Sequence, residues 1–152
     1  MRLGILTIIL VIIDQLSKYY IQSTMMLGES IPVWEDIFHI TYILNPGAAF
    51  GMMANQTAFF IVLALAIVGA VIYFYPTIRR ESRVMKIGIG LLLGGAIGNL
   101  IDRVHIGMVV DFFDFRIWPI FNIADIGIVC GAGIILAVSF LTRDKSEVNA
   151  NE

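Results

Sequence analysis

The chain has 152 residues, of which 59% are hydrophobic and 14% are charged, and its mean hydropathy is +0.88. Soluble domains carry about 25% charged residues, so this composition excludes an ordinary soluble protein. The net charge of −2 argues against nucleic-acid binding, and a single cysteine excludes a disulfide framework. We therefore expect one integral membrane domain over residues 1–152.

Four apolar segments are long enough to cross a bilayer, because a helix needs about 20 residues to cover about 30 Å of hydrocarbon. We predict spans at residues 3–21, 57–75, 85–104 and 120–141, followed by a polar tail at 142–152 without fixed structure. The first segment follows Arg2 and could be a cleaved signal peptide. No small-residue cleavage site follows it, so we expect it to be a span.

The connection at residues 22–56 is too long for a simple turn. Its stretch "IFHITYIL" is rich in β-branched and aromatic residues and lies between "WED" and "NPG", which predicts a strand or hairpin. We expect an all-α membrane fold with a small β-sheet in this loop. Glycines recur every four residues in the last two spans, which predicts close helix packing at Gly90, Gly94, Gly98, Gly127 and Gly131.

Basic residues are distributed unequally between the two sides of the predicted spans. Seven lie on the side of the termini: Arg2, Arg79, Arg80, Arg83, Lys86, Arg143 and Lys145. Three lie on the other side: Lys18, Arg103 and Arg116. Cytoplasmic loops carry the excess of Lys and Arg, so we predict cytoplasmic termini and outer connections at 22–56 and 105–119.

Unusual polar side chains gather at the outer ends of the predicted spans. They are Asp14, Lys18, Asn45, Asn99, Asp102, Arg103, Asp111, Asn122 and Asp125. A charged side chain at the centre of a bilayer costs roughly 2.5 to 3.5 kcal/mol on insertion scales, so such residues mark functional sites more often than most. Separate segments place these groups at one depth, which favours a shared site.

Individually, these polar residues also have structural explanations. Lys18 and Arg103 could extend to the headgroups. Asn122 could cap the last helix, with Asp125 as its first-turn acid. Asp14 and Lys18, four residues apart, could form a structural ion pair.

The residue types narrow the chemistry that such a cluster could perform. The two histidines, His39 and His105, fall in different outer segments, Cys130 is expected to be a small core residue, and no "GxSxG" or "HExxH" occurs. A serine, cysteine or zinc site therefore has no support. Two facing carboxylates could share a proton, as in an aspartic protease. Five aspartates remain eligible: Asp14, Asp102, Asp111, Asp114 and Asp125.

Five motifs in order resemble those of the bacterial lipoprotein signal peptidases, or signal peptidase II. They are "DQLSK" at 14–18, "NPGAAFG" at 45–51, "GNLIDR" at 98–103, "VVDF" at 109–112 and "FNIAD" at 121–125. The resemblance implies a catalytic dyad of Asp111 and Asp125, and Asp114 lies outside the motif. It also implies orienting or substrate-binding roles for Asp14, Lys18, Asn45, Asn99, Arg103 and Asn122.

Asp102 and two departures from the family pattern complete this comparison. Asp102 is expected to support the fold by pairing with Arg103 or its neighbours. The residue after the "FNIAD" aspartate is commonly serine in the family but is Ile126 here, so we expect a local hydrogen bond to be absent. The stretch from Asp111 to Asp125 is also short for the family.

The resemblance implies an intramembrane aspartic endopeptidase that removes signal peptides from diacylglyceryl-modified prolipoproteins, just before the lipidated cysteine. It implies membrane lipid and prolipoproteins as partners, no metal or organic cofactor, and a single copy in the bacterial cytoplasmic (inner) membrane. Its active site would lie near the outer face. The alternatives are a small proton- or ion-coupled transporter, which would need polar residues through the whole membrane thickness, and a non-enzymatic scaffold.

Overall fold

Long apolar segments of the chain form helices, and the more β-branched connections form strands. The computed structural model describes residues 3–47 and 55–149, with side chains described to residue 141. In chain order the elements are α1 (Leu3–Thr24), β1 (Ser30–Trp34), β2 (Phe38–Asn45), α2 (Thr57–Tyr73), α3 (Tyr75–Ile78), α4 (Arg83–Ile106), β3 (Val109–Asp114) and α5 (Ile123–Asn149). Arg2, residues 48–51 of the "NPGAAFG" motif, and the side chains of Arg143 and Lys145 lie outside the described part.

Three of the described helices are long and apolar enough to cross a membrane: α1, α4 and the first 19 residues of α5. The helix α2 is as apolar but has 17 residues, which correspond to about 26 Å. The last helix begins at Ile123 and continues to Asn149. The prediction of an unstructured tail was therefore wrong up to residue 149, where the polar segment prolongs the helix.

Glycines allow α4 to pack closely against α1 and α5, as the four-residue spacing predicted. On the side of α5, a Cβ added to Gly131 would lie 2.5 Å from the Leu92 backbone nitrogen. On the side of α1, a Cβ added to Gly94 would lie 3.2 Å from the Thr7 carbonyl oxygen. Helix backbones approach this closely only where the side chains are small.

The sheet is antiparallel and has the strand order β1-β2-β3. The hairpin of β1 and β2 confirms the predicted strands in the first long connection. The third strand comes from the second connection, where we had predicted no strand, and it pairs Ile43 with Asp111 and Asn45 with Val109. Val110 and Phe112 pack against Ile21 at the end of α1. This packing fixes β3, and with it Asp111, over the end of the helix bundle.

Candidate active site

Two aspartates from different elements meet at Asn122. Asp111 lies on β3, and Asp125 lies in the first turn of α5. The side-chain nitrogen of Asn122 donates to Asp111 Oδ1 at 2.7 Å, and its backbone nitrogen donates to Asp125 Oδ2 at 3.2 Å. One residue therefore holds both carboxylates.

The other oxygen of each carboxylate also receives an amide hydrogen bond. Asn45 Nδ2 donates to Asp111 Oδ2 at 2.8 Å, and Asn99 Nδ2 donates to Asp125 Oδ1 at 2.7 Å. Asn45 is the last residue of β2 and Asn99 lies on α4, so two further elements orient the pair together with Asn122. Each oxygen thus has one amide donor and keeps its second lone pair for another partner.

Asn122 is also the cap of the last helix. Its Oδ1 accepts from the backbone nitrogen of Asp125 at 2.9 Å, while the Asp125 carboxylate accepts from the Asn122 backbone nitrogen. This reciprocal arrangement is a capping box. The structural explanation of Asn122 and Asp125 is confirmed, and it holds together with their position in the site.

Lys18 lies beneath the aspartate pair and is 2% exposed. Its ammonium group lies 2.9 Å from Asp14 Oδ2, 2.9 Å from Asp102 Oδ2 and 3.0 Å from Asn99 Oδ1. Three donors therefore meet three acceptors, and the predicted ion pair with Asp14 is confirmed. The alternative that Lys18 extends to the headgroups is wrong, because two buried carboxylates hold it inside the bundle.

The two carboxylates that bind Lys18 also bind the backbone beside the aspartate pair. Asp102 Oδ2 accepts from the Val110 nitrogen at 3.1 Å, one residue before Asp111. Asp14 Oδ1 accepts from the Ala124 nitrogen at 2.8 Å, one residue before Asp125. Because Lys18 joins the two carboxylates, this buried cluster sets the position of β3 relative to α5.

Asp102 forms its ion pair with Lys18 of α1. Arg103, one of the partners named in the expectation, donates instead to the Gly47 carbonyl oxygen. The sequence reasoning also passed over Gln15, whose Nε2 donates to both Asp14 and Asp102 at 3.1 and 3.0 Å. Its position within the "DQLSK" motif, as an amide in an apolar segment, was the available signal.

Arg103 lies at the wall of a cavity rather than in the amide network. Its Nη2 donates to the Gly47 carbonyl oxygen at 3.0 Å, and its guanidinium lies 4.5 Å from the centre of the Phe60 ring. A cation over an aromatic ring in this geometry is an attractive contact. The contacts orient Arg103 along the cavity.

The cavity has a volume of about 590 Å³ and lies among α2, α4, α5 and the loop at residues 118–121. Asn45, Asn99, Arg103, Asp111 and Asp125 form its polar part, and most of the remaining wall is apolar. The side chain of Ile126 lines the cavity beside Asp125. Cys130 is exposed and also lines it, so its expected place in the core was wrong.

The environments of Asp111 and Asp114 differ although both lie on β3. Burial, together with the nearby charge of Asp125, raises the pKa of Asp111 to about 7, against the opposing hydrogen bonds from Asn45 and Asn122. Burial also disfavours ionisation of Asp114, but hydrogen bonds from Arg116 and Thr41 outweigh it and lower its pKa. A carboxyl group that titrates near neutrality can take part in proton transfer at physiological pH.

The short connection from Asp111 to Asp125 folds back on β3. Phe121 forms backbone hydrogen bonds with Phe113 in both directions, at 2.8 and 3.2 Å. This bridge brings Asn122 directly beneath Asp111, so the short loop is compatible with the paired carboxylates. Within residues 3–47 and 55–149, no cluster of three or more His, Cys, Asp and Glu residues could hold a metal ion.

Comparison with known proteins identifies the family of the chain. A family model described as signal peptidase (SPase) II matches residues 6–141. The chain belongs to the signal peptidase II family. The lipoprotein signal peptidase of Pelotomaculum thermopropionicum is 44% identical over 146 residues, covering 96% of each chain. That of Desulfitobacterium hafniense (strain DSM 10664 / DCB-2) is 46% identical over 136 residues, covering 89% of each.

The fold is also similar to that of solved structures. A bacterial membrane enzyme solved by the in meso method at 2.3 Å superposes with a TM-score of 0.85 at 38% identity, covering 94% of this chain and 88% of that one. A second, solved at 1.9 Å, gives a TM-score of 0.79 at 38% identity, covering 88% and 89%. Signal peptidase II is a protease family, and the apolar helices make this member an integral membrane protein.

Proposed function

We propose that this signal peptidase II family member is an intramembrane aspartic endopeptidase. Its substrates would be prolipoproteins that carry diacylglycerol, cut just before the lipidated cysteine. The observation that carries the proposal is the pair Asp111 and Asp125, held by Asn122 at the polar end of an apolar cavity. The lipoprotein signal peptidases to which the chain is similar bear the same substrate class in their name.

In the proposed reaction Asp111 carries the shared proton, consistent with a pKa raised to about 7 by burial and by the charge of Asp125. Asp125 takes a proton from water, and the water oxygen attacks the scissile carbonyl carbon while Asp111 protonates the carbonyl oxygen. Asp125 then gives its proton to the departing amine as the carbon–nitrogen bond breaks. The remaining hydroxyl proton returns to Asp111 as the new carboxyl group forms.

The surrounding amide side chains support these roles of the two aspartates. Asn45, Asn99 and Asn122 hold the two carboxylates in fixed orientations, so little rearrangement accompanies the reaction. Arg103 lines the same cavity and has further N–H groups beyond the one that binds Gly47, which suits it to bind substrate carbonyl oxygens. Proton transfer between the two carboxyl groups requires no metal or organic cofactor.

The apolar wall of the cavity matches the lipid part of the proposed substrate. Phe60, Leu63 and Ile67 of α2 face Ile128 and Val129 of α5 across it. Acyl chains and an apolar signal helix would bury hydrocarbon there, and a peptide bond beside the lipidated cysteine would lie at the polar end. The proposal therefore includes membrane lipid and prolipoprotein as partners, with a single copy forming the site.

We further propose four membrane spans, with α2 and α3 together as the second one. Both termini would be cytoplasmic in a bacterial inner membrane, which leaves the aspartates near the outer face. The excess of basic residues around the termini and at residues 79–86 supports this orientation. The 17 residues of α2 are short for a span, but α3 extends the segment to Ile78.

A transporter has less support. Among the described residues the buried polar side chains of the long helices lie at the end that holds the aspartates, apart from Thr7. Thr7 is accounted for by hydrogen bonds to the Leu3 and Gly90 carbonyl oxygens. A translocation pathway would need polar groups along the whole depth of the bundle.

The decisive experiment compares two forms of one precursor. Purified protein in detergent micelles is incubated with a diacylglyceryl-modified prolipoprotein and with the unmodified precursor, and the products are identified by mass spectrometry. We expect cleavage of the modified form alone, immediately before the modified cysteine. Cleavage of both forms at equal rates, or at another bond, contradicts the proposed substrate.

A further inference from the structure

A basic segment joins α3 to α4 at the end of the bundle opposite the aspartates. The segment at residues 79–86, here called the basic turn, has a net charge of +3 from four basic residues and one acid: Arg79, Arg80, Arg83, Lys86 and Glu81. The three arginines are exposed and Lys86 is half-buried. No ion pair involves these side chains within residues 3–47 and 55–141, so their charge is not compensated there.

The basic turn has a defined backbone. Ile78, just before it, is buried, and Ser82 Oγ accepts from the Met85 nitrogen at 3.1 Å as the cap of α4. Lys86 Nζ donates to the Arg79 carbonyl oxygen at 3.2 Å and closes the turn. The arginine side chains therefore extend from a fixed backbone rather than from a loose loop.

Helix lengths place the basic turn at a definite depth. Thr57 Oγ1 donates to the Gly107 carbonyl oxygen at 2.7 Å, which joins the start of α2 to the end of α4. From this contact α2 extends about 26 Å and α4 about 36 Å, against a hydrocarbon thickness of about 30 Å. With helices near the membrane normal, Arg83 lies beyond the hydrocarbon, in the headgroup layer.

Aromatic residues mark the boundary between these two layers. Tyr73, Phe74 and Tyr75 follow one another at the end of α2, and each is more than half exposed. Tyrosine is typical of the membrane interface, where its ring contacts acyl chains and its hydroxyl contacts water. The order of aromatic residues followed by arginines matches the passage from hydrocarbon to headgroups.

We propose that the basic turn binds the phosphate headgroup of an anionic phospholipid in the leaflet opposite the aspartates. The proposal rests on the membrane-spanning arrangement of the helices and not on the protease mechanism. Guanidinium groups bind phosphate oxygens through paired hydrogen bonds, and the three exposed arginines supply them. Each basic residue near an anionic membrane surface raises the affinity for anionic lipid by about fivefold.

The phospholipid that stays bound to the purified protein tests this proposed site. The full chain is released from micelles that contain phosphatidylglycerol and phosphatidylcholine with identical acyl chains, and the bound lipid is identified by native mass spectrometry. We expect phosphatidylglycerol to be enriched over phosphatidylcholine. Equal retention of the two lipids overturns the proposal. Because no substrate is present, either result is independent of whether the protein cleaves prolipoproteins.

Two neighbouring substitutions form a matched pair, because both residues are exposed and the charge changes have opposite signs. Arg80→Gln should lower the enrichment of phosphatidylglycerol about fivefold, and Glu81→Gln should raise it by a similar factor. Shifts of the same sign in both variants overturn the proposal. Should Arg80→Gln fail to fold, Glu81→Gln alone decides, because only a charge-dependent site gains lipid from that change.

Discussion

Asn122 Nδ2 lies 2.7 Å from Asp111 Oδ1, so the residue that caps α5 also fixes the carboxylate on β3. The capping role uses the other side-chain atom, Oδ1, which accepts from the Asp125 backbone nitrogen at 2.9 Å. Helix formation and the geometry of the site are therefore carried by different atoms of one side chain. A substitution can separate them.

Asn122→Ser should preserve the helix and impair the site. Serine caps helices about as well as asparagine, whereas Asn122→Ala should lose about 1 kcal/mol. Both variants lose the amide nitrogen that donates to Asp111, so we expect both to lose at least tenfold in cleavage rate. Thermal unfolding in detergent and cleavage of the lipidated precursor measure the two effects. Full activity in Asn122→Ser would show that the contact with Asp111 is dispensable.

Asp111→Asn and Asp125→Asn should each remain folded in the membrane and abolish cleavage. An amide cannot exchange the proton that the proposed reaction moves between the two carboxyl groups. Asp114→Asn is the matched control, because Asp114 lies on the same strand but contacts Thr41 and Arg116. We expect Asp114→Asn to keep most of the activity. Residual cleavage at the wild-type rate in either dyad variant removes that aspartate from the mechanism.

The raised pKa of Asp111 predicts a pH-dependent stability. Because the folded-state pKa is about 7 and the ordinary value is 3.8, this group stabilises the fold below pH 3.8, and the contribution is lost as pH rises through about 7. The effect of Asp111→Asn on the free energy of unfolding should therefore be more favourable at pH 8 than at pH 5, by on the order of 2 kcal/mol. Unfolding of both proteins at the two pH values measures the difference.

Asp114→Asn again provides the comparison. The pKa of Asp114 is lowered by Arg116 and Thr41, so its stabilising contribution is present above pH 3.8 and is lost only in more acid solution. The effect of that substitution should be the same at pH 5 and pH 8. An equally constant effect for Asp111→Asn would contradict the raised pKa.

Lys18→Met should be among the most destabilising single substitutions in the chain. It leaves Asp14 and Asp102 buried without their ion pair, and removing one partner of a buried pair costs roughly 3 to 5 kcal/mol. The triple variant with Asp14→Asn and Asp102→Asn should recover most of this loss, because no buried charge remains. Thermal unfolding of the wild type and both variants measures it. Equal stability of the single and triple variants would show that the charges do not matter.

The sequence predicted contacts within one helix or one motif of the site better than contacts between different helices. Motif order identified the residues that meet around Asn122, and the four-residue spacing of Asp14 and Lys18 identified a contact within one helix. The contact of Asp102 with Lys18 crosses between helices α1 and α4. No local spacing encodes such a pair, so the expectation named Arg103 or its neighbours.

In the fold, too, local features were predicted and features that depend on distant residues were not. Helices followed from hydrophobic length, but β3 is a six-residue strand whose pairing with β2 depends on residues about 70 positions earlier. Cys130 was expected in the core because an apolar helix has no polar face that would show which side lines a cavity. Gln15 belonged to a recognised motif, yet its role became apparent only from the partners Asp14 and Asp102.

Two glycines of α5 should respond oppositely to the same substitution. A Cβ on Gly131 would lie 2.5 Å from the Leu92 nitrogen and 2.6 Å from the Gly88 carbonyl oxygen, whereas one on Gly133 meets nothing within 4 Å. Gly131→Ala must therefore separate α5 from α4, while Gly133→Ala should gain about 0.5 to 1 kcal/mol from helix propensity. Thermal unfolding in detergent compares the two variants. Because the α4–α5 contact also positions Asn99 against Asp125, Gly131→Ala should reduce cleavage as well, and a fully active, stable Gly131→Ala protein would contradict this account of the packing.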